Sequence, residues 1–164
     1  MLGLCVLFDD TGKARTAVEK LFGQALADGG RFWRDNYLGL HFQYQAMDRY
    51  RYGQRTAKYQ KAKRIKWGHN KPLVWSGQSL RAATQQLRDP VARKEKGKVG
   101  ANVPVTVPWY FKAFRKSATR KAHDKPAELT RTTEQERKRL ADIAQESLAQ
   151  RMIDYPAVRS VRHL

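Results

Sequence analysis

A stretch of alternating basic and aromatic residues, 49–67, carries the side chains with the clearest chemical potential. Its cations can neutralise phosphates or acidic side chains, and its aromatic rings can stack on nucleobases. Because DNA and acidic protein subunits are both anionic, the charge leaves the two kinds of partner equally open. This basic-aromatic stretch comprises Arg49, Arg51, Arg55, Lys58, Lys61, Lys63, Arg64, Lys66, Tyr50, Tyr52 and Tyr59.

Catalytic, cofactor and metal motifs are absent from the sequence. It has no phosphate-binding glycine loop, dinucleotide fingerprint, paired-cysteine zinc site or His-Glu-x-x-His helix. The histidines at 41, 69, 123 and 163 show no ligand spacing, so surface or loop positions are expected for them. Ser76 has no identifiable base and is predicted to cap a helix rather than act as a nucleophile. The sequence therefore predicts a protein that is not an enzyme and binds no cofactor.

The charge balance predicts an anionic partner. The 164 residues include 33 Lys and Arg against 15 Asp and Glu, a formal net charge of +18, which is more than solubility requires.

The length fits one domain, and the single cysteine, Cys5, excludes an internal disulfide. The apolar opening residues are too few to cross a bilayer and lack the features of a secretory signal. We expect a cytoplasmic product without a membrane anchor.

Local patterns predict the elements that must position these side chains. Residues 2–8 suit a short strand or an apolar plug, and 13–27 an amphipathic helix that ends at Gly29-Gly30. A second helix, broken near Gly39, is predicted over 31–47. If helical, residues 55–67 have a narrow apolar stripe and a broad cationic face. A short helix over 77–87 follows the cap at Ser76.

The second half of the chain combines a strand, an arm and a helix. Alternating valines and alanines predict a strand over 98–107, which its prolines make an edge strand or an irregular one. Polar, basic residues 112–131 predict a loop or an arm. Thr132 or Thr133 is expected to cap the last helix, with Gln135 or Glu136 completing a capping box. Its apolar stripe is Leu140, Ile143, Leu148, Met152 and Tyr155, and its acids, Glu134, Glu136, Asp142 and Glu146, are expected on a solvated face.

Three segments together carry a resemblance. The first is the basic-aromatic stretch preceded by His41-Phe42, and the third is residues 99–104 followed by Trp109-Tyr110. The second, the PLVWSG segment, comprises Pro72, Leu73, Val74, Trp75, Ser76 and Gly77, with Leu80 and Arg81 after it. In this order they resemble the tail-completion and virion-morphogenesis proteins of tailed bacteriophages, which join the head to the tail. The aromatic pair lies farther from Pro104 than in that family, and the family's P-A-R-P-F arm motif is reduced to Pro126-Ala127-Glu128-Leu129.

The resemblance implies an α+β fold, with several helices packed on a small antiparallel sheet, an extended arm at 112–131 and a long C-terminal amphipathic helix, all in one domain spanning 1–164. It implies a structural protein of the virion neck or tail, made in the host cytoplasm and assembled in multiple copies. The expected partners are copies of itself, in a ring or other multimer, neighbouring head-tail connector and tail proteins, and packaged DNA, with no membrane. The alternative is a free basic nucleic-acid-binding protein, ribosomal or nucleoid-like.

Overall fold

The structure, a computed structural model, describes residues 11–85, 87–108 and 125–155. These residues form an α+β fold with six α-helices and a two-stranded antiparallel sheet, which confirms the predicted fold class. The helices are α1 (Thr11–Asn36), α2 (Ala46–Arg49), α3 (Ala57–Trp67), α4 (Gln78–Gln85), α5 (Lys125–Leu129) and α6 (Glu134–Ile153), with a 3-10 helix at Leu38–Phe42; the strands are β1 (Val91–Glu95) and β2 (Lys98–Asn102).

The chain divides into two compact units. Of the described residues, the first contains 11–32, 90–103 and 138–155; the second contains 33–85, 87–89, 104–108 and 125–137. The prediction of a single domain stays a prediction. None of the helices in the described part of the chain combines the length and apolar composition needed to cross a membrane.

In the first unit, α1 runs through the predicted stop at Gly29-Gly30, so that boundary was wrong. A Cβ on Gly30 would lie 2.6 Å from Val103 Cγ2, and one on Gly29 would lie 3.3 Å from the Leu140 carbonyl oxygen. The glycines therefore permit close approach of neighbouring segments. Asp28 accepts hydrogen bonds from Ser147 Oγ at 2.5 Å and Arg151 Nη2 at 2.7 Å, which ties α1 to α6.

The sheet of the first unit is a hairpin. β1 pairs antiparallel with β2, with Ala92 opposite Ala101 and Glu95 opposite Lys98. Lys96 and Gly97 form the turn with φ of 50° and 76°, the left-handed backbone that two-residue hairpin turns require. The predicted strand over 98–107 is confirmed only to Asn102. β1 could not be predicted because its residues, Val-Ala-Arg-Lys-Glu, have no hydrophobic alternation, and all five are exposed in the structure.

The core of the second unit surrounds the 3-10 helix. Leu38 and Phe42 are buried there, α4 packs against the same segment, and Ala83 of α4 is also buried. The predicted helix over 31–47 is therefore wrong in detail: the chain leaves α1 at Asn36, makes the 3-10 turn and then forms α2. The predicted helix over 77–87 is α4, and Leu87 beyond its end is exposed.

Side-chain caps explain where two helices begin. Thr56 Oγ1 accepts from the Tyr59 N–H at 3.3 Å at the start of α3, and Gly68, with φ 69°, ends that helix. At α6, Glu136 N–H donates to Thr133 Oγ1 at 3.2 Å while Glu136 Oε2 accepts from Thr133 N–H at 2.9 Å. This is the predicted capping box.

The C-terminal helix is long, as predicted, but its amphipathic character is confirmed only in part. The predicted apolar residues Leu140, Ile143, Leu148, Met152 and Tyr155 are half-buried, and none is fully buried. Residues 2–8, Cys5 and residues 112–124 of the predicted arm lie outside the described residues. The end of that arm is not extended: 125–129 are helical, and Leu129 is 4% exposed.

Candidate nucleic-acid or acidic-partner interface

The basic-aromatic stretch separates into a buried group and an exposed group, both within the second unit. Tyr50, Tyr52 and Lys63 are buried. Arg55 and Tyr59 are half-buried, and the exposed members are Arg49, Arg51, Lys58, Lys61, Arg64 and Lys66. The stretch thus serves both the core and the surface, which the alternation of residue types does not reveal.

The buried tyrosines pack on a histidine. His41 is fully buried and stacks on Tyr50 with ring centroids 3.9 Å apart, and its Nδ1 shares a hydrogen bond with the Tyr52 hydroxyl. Burial lowers the pKa of His41 to about 4, although the charge of Glu136 opposes this. Burial also raises the pKa of both tyrosines above its ordinary value. These rings are not available to stack on nucleobases, and the expected surface position of His41 was wrong.

A buried carboxylate organises the neighbouring basic residues. Glu136, 1% exposed, accepts hydrogen bonds from the Tyr50 hydroxyl at 2.9 Å and from Arg49 Nε at 3.0 Å. Burial by itself would raise the pKa of Glu136, but the Thr133 N–H, Arg49 and Tyr50 outweigh it and hold that pKa below its ordinary value. The expectation of a solvated Glu136 was wrong, because the residue faces the core below its own helix cap. Glu134 does lie on the surface, where it pairs with Arg137.

A second buried carboxylate holds Arg55. Glu128 is 3% exposed and accepts from Arg55 Nη1 at 3.0 Å and from Nη2 at 2.5 Å, a two-point pairing. Arg131 donates from Nη1 to the carbonyl oxygens of Tyr50, at 3.2 Å, and Arg51. Arg49 and Arg55 therefore fix the structure around the two glutamates instead of presenting free charge to a partner.

The remaining exposed cations are Arg51, which precedes α3, and four residues of α3 itself. We call these four the α3 cationic face: Lys58, Lys61, Arg64 and Lys66. In the described part of the chain, no carboxylate lies within ion-pair distance of these four side chains. Ile65, on the same helix, is 77% exposed. Lys58, Lys61 and Ile65 recur at helical spacing and therefore share one side of α3. The surface combines uncompensated charge with an exposed apolar side chain.

The PLVWSG segment lies beside α3. Pro72, Leu73 and Val74 are buried, and the Trp75 ring lies 5.3 Å from that of Tyr59. Leu73 has φ 56°, an uncommon backbone for a branched aliphatic residue, and Gly77 has φ 83°. Ser76, Gly77 and Leu80 are half-buried, whereas Arg81 is exposed. The segment therefore contacts α3 through the Trp75 ring, which packs against Tyr59 and Trp67.

Possible metal ligands are scattered over the described part of the chain. Among the described residues, no group of three or more His, Cys, Asp or Glu is arranged to hold a metal ion. His69 is half-buried, and burial lowers its pKa. His123 and His163 lie outside the described residues.

Comparisons of the chain with protein-family models, curated proteins and solved structures found no match.

Proposed function

We propose that the chain is a non-enzymatic structural subunit of a tailed-bacteriophage particle, placed at the neck or the end of the tail and present in several copies. The observation that carries this proposal is the α3 cationic face. Four exposed cations without described acidic partners lie on the same helix as Ile65, which is 77% exposed. Uncompensated charge at this density repels itself and is stabilised when an anionic surface covers it.

The composition of this face favours a protein neighbour over nucleic acid alone. An exposed isoleucine gains free energy from burial against apolar groups, which a phosphate backbone does not offer. Of the three tyrosines that suggested stacking on nucleobases, Tyr50 and Tyr52 are buried and Tyr59 is half-buried. The resemblance of the three segments to head-tail joining proteins supplies the type of assembly. Copies of the chain, connector and tail proteins, and packaged DNA are the proposed neighbours.

Mass spectrometry of purified particles from the phage that encodes this chain tests the proposal. We expect the chain as a low-copy component in a fixed ratio to the other neck and tail proteins. Its absence from particles, together with tight, salt-sensitive DNA binding by the isolated chain, would favour the free nucleic-acid-binding alternative.

A matched pair of variants tests the face itself. Replacing Lys58, Lys61, Arg64 and Lys66 by Gln should prevent incorporation of the chain into particles. The control replaces four exposed lysines elsewhere, Lys20, Lys96, Lys98 and Lys138, and removes the same charge. Equal incorporation of both variants would show that the face is only a solvated surface.

A further inference from the structure

A small cavity in the second unit lies between α3, the PLVWSG segment and the start of α5. Its volume is about 80 Å³, and three cationic side chains, Arg55, Lys63 and Lys125, reach its wall. Tyr59 and Trp75 form an aromatic part of the same wall. A volume of this size accommodates several water-sized groups and therefore one small polyatomic ion.

Lys63 is the unusual member of this wall. It is 3% exposed, and its ammonium donates a hydrogen bond to the Lys71 carbonyl oxygen. An ammonium has three donors, so one carbonyl satisfies it only in part. Among the described residues no carboxylate lies within ion-pair distance of Lys63. Besides that carbonyl, the ammonium lies 5.8 Å from the centroid of the Tyr59 ring, a cation–π contact. A buried ammonium without a nearby carboxylate remains unfavourable, because these contacts offset only part of its lost hydration.

The neighbouring charges increase this cost. Burial, followed by the charges of Arg55 and Lys125, lowers the pKa of Lys63 to about 8. Burial and the charge of Arg55 also lower the pKa of Lys125, although the charge of Glu128 opposes this. Glu128 is engaged by both Nη atoms of Arg55. Arg55, Lys63 and Lys125 thus outnumber the Glu128 carboxylate beside them, and their mutual repulsion favours an anion in the cavity.

We propose that this cavity binds a phosphate group, either as inorganic phosphate or as the terminal phosphate of a larger molecule. A phosphate monoester carries about two negative charges near neutral pH and offers three acceptor oxygens, which suits several converging cations. A carboxylate offers one charge and two oxygens and would neutralise the site less completely. Lys63 and Lys125 are the primary ligands, and Arg55 contributes charge while it remains paired with Glu128. This inference is independent of the role in the phage particle.

Isothermal titration calorimetry of the full chain with inorganic phosphate, at constant ionic strength, tests the site. Lys63→Met should weaken binding roughly tenfold or more, because a charge-assisted hydrogen bond to an ionised group is lost. Lys96→Met changes an exposed lysine in the turn of the hairpin, away from this cavity's lining, and should leave the affinity unchanged. Equal binding by both variants, or no binding by the wild type, would overturn the proposal. Acetate binding as tight as phosphate would overturn the choice of ligand.

A thermal-unfolding experiment separates loss of the site from loss of the fold. Without phosphate, Lys63→Met should melt at the wild-type temperature or above, because it removes an uncompensated buried charge. Added phosphate should raise the melting temperature of the wild type but not of this variant. Phosphate stabilisation that persists in Lys63→Met would place the ion elsewhere and refute the assignment.

Oligonucleotides identify the source of the phosphate. A 5′-phosphorylated strand that binds more tightly than its 5′-hydroxyl counterpart, and only when Lys63 is present, assigns the site to a nucleic-acid end. Equal binding of the two strands, together with Lys63-dependent binding of inorganic phosphate, assigns it to a small free phosphate compound. Lys125→Gln should weaken whichever ligand binds.

Discussion

His41 lies parallel to Tyr50, with 3.9 Å between the ring centroids and 6° between the ring planes. The imidazole is fully buried, and its Nε2 has no hydrogen-bond partner among the described residues. A buried ring in this position is more stable when neutral, because a charged imidazolium would lose its hydration. The stack therefore makes the second unit sensitive to acid.

We predict that stability falls as the pH drops from about 6.5 to about 4. The folded-state pKa of His41 is lowered to about 4 from 6.5, so over this range the unfolded chain binds the additional proton. The loss from His41 is about 3 kcal/mol, given roughly 1.4 kcal/mol for each pH unit. Denaturant unfolding at several pH values measures it, and His41→Gln should show a smaller loss over the same range. An NMR titration of the His41 ring with a midpoint near that of a free imidazole would contradict the prediction.

Replacing Glu136 tests how much its buried carboxylate stabilises the fold. Glu136→Ala leaves Arg49 and the Tyr50 hydroxyl without their acceptor and removes part of the α6 cap, so it should cost about 3 kcal/mol of unfolding free energy. Glu134→Ala, two residues earlier on the same helix, breaks a pair with side chains 66% and 61% exposed. It should cost less than about 0.5 kcal/mol. Chemical denaturation of both variants makes the comparison, and similar losses would mean that Glu136 does not organise this region.

Gly30 tests close packing within the first unit. A Cβ at this position would lie 2.6 Å from Val103 Cγ2, and the stiff valine side chain has little freedom to move. Gly30→Ala should therefore destabilise the chain by about 1 kcal/mol, even after the gain in helix propensity. Gly39→Ala meets nothing within 4 Å and should be neutral or slightly stabilising. Thermal melts of the two variants distinguish packing at Gly30 from a general effect of replacing glycine.

Repulsion among the charges of the α3 cationic face should make the stability of the chain depend on salt concentration. The isolated wild-type chain, with a net charge of +18, should become more stable as salt screens its self-repulsion. The variant with Gln at 58, 61, 64 and 66 should start at equal or slightly higher stability and gain less from salt. Circular dichroism melts across a salt series measure both effects. A variant that unfolds at low salt would show that these lysines and arginine support the fold.

Several elements of the fold could be predicted because their signals are local. The capping box of α6 joins Thr133 and Glu136, three residues apart, and the caps of α3 are similarly close in sequence. Helical periodicity likewise identified α1 and α4. The error at Gly29-Gly30 has a physical cause: the same glycines that end a helix also allow close packing, and the choice depends on distant segments such as the one containing Val103.

The amino-acid sequence by itself determined the net charge, the lack of catalytic and metal motifs, and the approximate positions of α1, α4 and α6. Only the tertiary structure decided which basic residues are exposed. Arg49 reaches Glu136 across 87 positions, and Arg55 reaches Glu128 across 73. Pairings at such separations arise from the path of the folded chain, and no local pattern encodes them. For the same reason, Lys63 becomes part of a cavity wall while Lys61, two residues away, stays in solvent.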